Sequence, residues 1–173
     1  MESGSKLLVI FIGLTSVVQS SAQICPYIAT GCVCRHGIND GTTVTCNNLQ
    51  ALPPLQTGPN VTRVDTVYFN KGSITSLPKN SLPPGLAMLM LEGLPLTDIS
   101  DDAFDESANS LSTIELTGAK LTTLPSALLK LTNLTALVIT DIPIQKWNDS
   151  VLQHIGNTLT TLFLSNAGIT EEH

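Results

Sequence analysis

Ionisable side chains are scarce in this 173-residue sequence: only 13% are Asp, Glu, Lys or Arg, and there are three histidines. Basic residues are the rarer sign, 8 against 14 acidic, for a formal charge of -6. That balance excludes the basic field a nucleic-acid binder needs and the polybasic patch of a membrane-surface protein. Aromatic residues are 4%, with a single tryptophan. Cysteine stops at Cys46, and none occurs in the rest of the chain. The apolar share, by contrast, is 42%, which together with low charge excludes a disordered chain. The length fits one ordinary domain.

Catalytic signatures are missing too. There is no G-x-S-x-G, H-E-x-x-H or G-x-x-x-x-G-K-S/T. His36, His154 and His173 are dispersed, and no nucleophile, base and orienting group can be assembled from them. The sequence therefore predicts no enzyme, no metal and no cofactor. Asp101, Asp102, Asp105 and Glu106 form an acidic cluster without the spacing of a calcium loop, and read as a solvated outer face.

The opening segment, 1–22, reads as an address. Lys6 precedes an apolar run from Leu7 to Val18, and the small residues Ser20, Ser21 and Ala22 follow. This is the layout of a cleaved secretory signal, and the run is too short to span a bilayer. The expectation is a secreted chain with no stable membrane span once mature. Three N-x-S/T sequons, at Asn60, Asn133 and Asn148, suit that compartment as glycosylation sites. Cys25, Cys32, Cys34 and Cys46 then read as two disulfides in an oxidising environment. A zinc site is disfavoured, because there is no C-x2-C pair and His36 is the one nearby histidine. Four cysteines allow three pairings, and spacing does not choose among them.

The dominant feature is a repeat. Val64, Val67, Phe69, Ile74 and Leu77 lie at offsets 0, 3, 5, 10 and 13. The same offsets hold Leu86, Leu89, Leu91, Leu96 and Ile99, then Leu111, Ile114, Leu116, Leu121 and Leu124, then Leu134, Leu137, Ile139, Ile144 and Trp147. Leu159, Leu162, Leu164 and Ile169 begin a fifth copy. The copies therefore start at Val64, Leu86, Leu111, Leu134 and Leu159, a nearly even period. Within each, the central apolar pair alternates with period two, as a strand with one buried face requires. Phe104, Leu129 and Leu152 are expected to pack beneath the outer return. One copy buries about five apolar side chains at roughly 1.5–3 kcal/mol each. Ordering its backbone costs roughly 1–2 kcal/mol per residue, so a single copy is not stable and the copies must stack.

The pattern L-x-x-L-x-L-x5-L-x-x-L at this period resembles the extracellular leucine-rich-repeat family. The cysteine cluster, followed by Leu49 and Leu52-Pro53, resembles that family's N-terminal cap. The resemblance implies an α/β-type solenoid: a horseshoe with a concave parallel sheet, an irregular or 3-10 convex side and a disulfide cap. It also implies the pairing Cys25–Cys34 and Cys32–Cys46. The expected organisation is a signal at 1–22, a cap at 23–60 and about five repeats at 61–173. At the ninth position, where the family holds Asn, stand Gly72, Leu94, Ala119, Ile142 and Ala167, so backbone contacts are expected to carry the turn. No second cysteine cap follows the fifth copy, which leaves the oligomeric state open and suggests either truncation or cover by another chain.

Strand residues facing away from the apolar rows are Thr66, Tyr68, Asn70, Met88, Met90, Glu92, Thr113, Glu115, Val138, Thr140 and Phe163. They are the expected binding face for an extracellular protein, peptide or glycan. The alternative is a non-catalytic accessory subunit of a secreted complex; the chain has a lesser resemblance to arthropod proteins like the non-catalytic subunit of a secreted shrimp luciferase. The strand phase has a direct test. Leu116→Asp places an unpaired charge between copies and should abolish cooperative thermal unfolding by circular dichroism, at a cost of about 3–5 kcal/mol. Thr117→Asp should leave the melting curve nearly unchanged; equal effects would reverse the phase.

Overall fold

A computed structural model describes residues 24–37 and 41–169. The proposed signal, 1–22, lies outside the described residues, as does His173.

Alternation builds the strands. In β3 (Thr66–Gly72), Val67 and Phe69 are buried while Thr66, Tyr68 and Asn70 are half-buried. The same alternation recurs in β5 (Met88–Glu92), β7 (Thr113–Thr117) and β8 (Ala136–Thr140). β9 (Thr161–Ser165) completes the parallel set. Each pairs in register with the next, so that Phe69, Leu91, Leu116, Ile139 and Leu164 form one continuous row. Leu116 is 2% exposed within it.

The sheet extends in front of the recognised repeats. β2 (Thr42–Leu49) pairs parallel with β3, setting Val44 and Cys46 on the rows of Val67 and Phe69. β1 (Cys32–His36) pairs antiparallel with β2. The seven-strand order is β1-β2-β3-β5-β7-β8-β9, and β4 (Ser76–Leu77) and β6 (Asp98–Ile99) form a separate pair. The disulfides are Cys25–Cys34 and Cys32–Cys46; the second ties β1 to β2 at a paired position. Tyr27 seals the first end: it is 1% exposed, donates its hydroxyl to Ser81 O, and meets Phe69 edge-on with ring centroids 5.5 Å apart.

The expected α/β-type horseshoe solenoid is corrected by this structure. The fold is mostly β, with nine short strands among the described residues and a mixed main sheet whose first pair is antiparallel. Its one helix among the described residues is α1 (Asp149–Ile155), seven residues long. The reason lies in the connections. Pro78, Pro83, Pro84, Pro95, Pro125 and Pro143 interrupt them, removing donors and fixing φ where a helix would propagate. Only α1 combines a capping side chain with an apolar i, i+4 pair: Asn148 Oδ1 accepts from Ser150 N–H, and Val151 and Ile155 are buried. Elsewhere short 3-10 segments at Asp105–Ser107 and Ser126–Lys130 suffice.

That helix and the second 3-10 turn also revise the outer packing. Phe104 is 1% exposed, as expected, but Leu129 is 39% exposed and Leu128 fills the core in its place. Leu152 is half-buried, with Val151 and Ile155 beneath it.

Two sets of bonds lock successive units. At the ninth position, Leu94, Ala119, Ile142 and Ala167 form a dry row, each 4% exposed or less. Backbone bonds cross between units beside them, such as Gly118 N–H to Thr140 O at 2.9 Å and Lys120 N–H to Leu96 O at 2.8 Å. Hydroxyls reach back from the strand entries. Ser112 O accepts from Thr135 N–H (2.9 Å), Ala136 N–H (3.0 Å) and the Thr135 hydroxyl (3.1 Å). Ser110 and Thr158 likewise donate to Leu86 O and Leu134 O, at 2.8 and 2.7 Å. Much of the Ser/Thr content is therefore inter-unit bonding.

Gly72 marks a close approach of backbone to backbone. Its φ is +141°, and a Cβ there would lie 2.2 Å from Leu49 O; at Gly85, φ +71°, a Cβ meets open space. Gly85→Ala should cost about 1–2 kcal/mol, the penalty of positive φ alone. Gly72→Ala adds the clash, so its urea midpoint should fall well below that of Gly85→Ala.

Candidate interaction face

In-register pairing gathers the residues singled out from the sequence into three parallel rows on one face. The first is Thr66, Met88, Thr113, Ala136 and Thr161; the second is Tyr68, Met90, Glu115, Val138 and Phe163; the third is Asn70, Glu92, Thr117, Thr140 and Ser165. Glu92 and Phe163 are exposed, and the other predicted residues are half-buried by their neighbours along the rows. Parallel strands repeat every 4.8 Å or so, which makes the five-strand face about 20 Å across.

The cap enlarges this surface beyond the sequence reading. Thr43, Thr45 and Asn47 of β2 begin the three rows, and Val33 and Arg35 of β1 stand opposite Thr45 and Thr43. Asn47 Oδ1 accepts from Asn70 Nδ2 at 3.0 Å. A signal for this was present. Val44, Cys46 and Leu49 have the spacing of Val67, Phe69 and Gly72, so the cap hides one more turn of the template.

Apolar and acidic groups alternate across the centre. Met90 lies between Tyr68 and Glu115 in the middle row, with Glu92 two positions along its own strand. Tyr68 donates its hydroxyl to Glu92. That bond first, then desolvation, then the charges of Glu92 and Glu115, push the phenol up to about 12. The remaining polar residues are hydroxyls and amides, which suit hydrogen bonding to a chain laid across the strands.

The other residues considered for chemistry are apart from this face and from one another. His36 Nδ1 bonds Thr42 Oγ1 at 3.0 Å in the cap, while His154 Nε2 bonds Leu131 O at 2.9 Å beside α1. In the acidic cluster, Lys79 bridges Asp102 and Asp105 at 3.2 and 3.6 Å. The Ser100 hydroxyl, with Lys79 behind it, holds the Asp102 carboxyl below its usual range. Among the described residues no group of three or more His, Cys, Asp or Glu could hold a metal ion. Of the sequons, Asn60 and Asn133 are exposed, whereas the Asn148 side chain is engaged as the α1 cap.

The chain has two tyrosines, Tyr27 and Tyr68, and both are raised, Tyr27 by burial. A phenol raised in the folded state contributes stability that is fully present below its unfolded value near 10 and is lost as pH climbs through the folded value. Tyrosinate absorbance of the native protein should therefore stay flat through pH 10 and grow as pH approaches 12. The denatured chain should titrate near 10; a native titration at that same pH would mean that neither contact forms in solution.

No protein-family model matches the chain, and no curated protein matches it.

Proposed function

We propose that the chain is a secreted, non-enzymatic interaction module that holds an extracellular protein, peptide or glycan on the open face of its main sheet. The observation that carries this reading is the contrast between the two sides of one set of strands. From β3 to β8 the rows through Leu89 and Leu91 are sealed, while the row through Tyr68, Met90, Val138 and Phe163 keeps apolar surface in contact with water. Accessible apolar patches of this kind mark interaction sites, and a face this wide suits a macromolecular footprint better than a small-molecule pocket.

Charge narrows the partner. Glu92 and Glu115 flank Met90, so an apolar segment carrying a basic residue matches the centre of the face, with the hydroxyl rows bonding its polar groups. The two disulfides fit an oxidising, extracellular-type environment, and no helix among the described residues is long and apolar enough to cross a membrane. Secretion and glycosylation at Asn60 and Asn133 belong to the same reading.

The test is retention of partners from extracellular fluid on the immobilised mature chain. Met90→Gln combined with Val138→Thr should leave the melting temperature within a few degrees, because both positions are half-buried on the open side, and should reduce partner retention at least tenfold. Retention equal to wild type would remove this face from the function.

A further inference from the structure

A trough runs along the strand-entry end of the first units, and none of its lining belongs to the open face. Leu55 comes from the return of the cap, Val61 and Val64 from the approach to β3, and Pro83 and Pro84 from the approach to β5. With Pro26 they bound a hollow of about 360 Å³. A second hollow of about 460 Å³ shares Leu55, Thr57 and Pro84 with the first and continues to Leu82. Hollows of this volume with mainly apolar walls are the size of small-molecule sites.

The walls are preformed. Gln56 N–H donates to Pro26 O and Thr62 N–H to Ile24 O, both at 2.8 Å, and Gly85 N–H donates to Glu106 O at 3.0 Å. Pro26, Pro83 and Pro84 fix backbone torsions around the trough. A ligand entering it displaces water from apolar surface without first ordering the chain.

The charge in the first hollow has one sign. Arg63 is its single ionisable side chain, in a protein where acids outnumber bases 14 to 8. Among the described residues the ion pairs are those of Lys79, and Arg63 has none. Beside it Thr62 lines the same hollow and is 6% exposed, and its hydroxyl bonds no group among the described residues. Glu106 lines the second hollow and not the first.

We propose that this trough binds a small amphiphilic carboxylate, an unbranched fatty acid of medium length. Its carboxylate meets Arg63 and the Thr62 hydroxyl, and its chain lies over Leu55, Pro84 and Leu82. The guanidinium selects an anion, and a buried hydroxyl without a partner supplies a donor to one carboxylate oxygen. Glu106 sets the polarity, since it repels a charged head at the other end. Two hollows joined through shared walls fit an extended chain better than a single ring.

Isothermal titration calorimetry of the purified protein with decanoate tests this. Decanoate should bind at least tenfold tighter than hexanoate, because each further methylene buried is worth about fourfold. It should also bind at least threefold tighter than decanol. Arg63→Gln, with native circular dichroism, should abolish the preference for decanoate over decanol, and Arg63→Glu should transfer it to decylammonium. In methyl NMR spectra decanoate should move the signals of Leu55, Val61 and Leu82 and leave those of Met90 and Val138 in place. No decanoate binding at about millimolar concentration, equal affinity of wild type for decanoate and decylammonium, a preference that survives Arg63→Gln, or shifts confined to the open face would each overturn the proposal.

Discussion

Everything in this molecule depends on successive units meeting in one register. A parallel ladder of this kind has no local turn to set it. Each strand finds its neighbour across one full repeat of the chain, and a slip of a single position would turn every apolar side chain to water. Register is held instead by several bonds that must all be made at once. Leucine, isoleucine and phenylalanine rows exclude water on one side. Peptide groups join strand to strand, and the Ser110, Thr135 and Thr158 hydroxyls fasten the entries of β7, β8 and β9 to the unit before each. No unit is stable alone, so the sheet face exists only as the collective result.

How much of this can be read from the sequence depends on the kind of signal. The apolar rows are legible because every position in them is filled by the same chemistry at a fixed offset. β1 and β2 are less so. Val44, Cys46 and Leu49 follow the template, but the cysteine cluster distracts from it, and the antiparallel return of β1 comes from the Cys32–Cys46 tie and not from periodicity. The outer side is least legible. Whether Leu128 or Leu129 enters the core turns on the pitch of a five-residue 3-10 turn. Apart from α1, the returns among the described residues stay irregular or 3-10, and proline punctuates nearly every one. The binding residues are legible as a phase of alternation; the Tyr68–Glu92 bond and the contribution of β2 to the face emerge only in three dimensions.

The first end shows how a narrow sheet manages its boundary. Tyr27 plugs the core over Phe69, the Cys32–Cys46 bridge holds β1 against β2, and Cys25–Cys34 ties the segment entering the cap to β1. Its two disulfides fit an oxidising environment.

The dry ninth-position row has a consequence for the size of the protein. An asparagine in such a turn would make each step depend on a directional side-chain bond. Leu94, Ala119, Ile142 and Ala167 ask only that a methyl or larger group meet its neighbour. One interior step is then nearly interchangeable with the next. A whole interior step could be duplicated or excised by a single genetic event, and the ladder would close again behind the change.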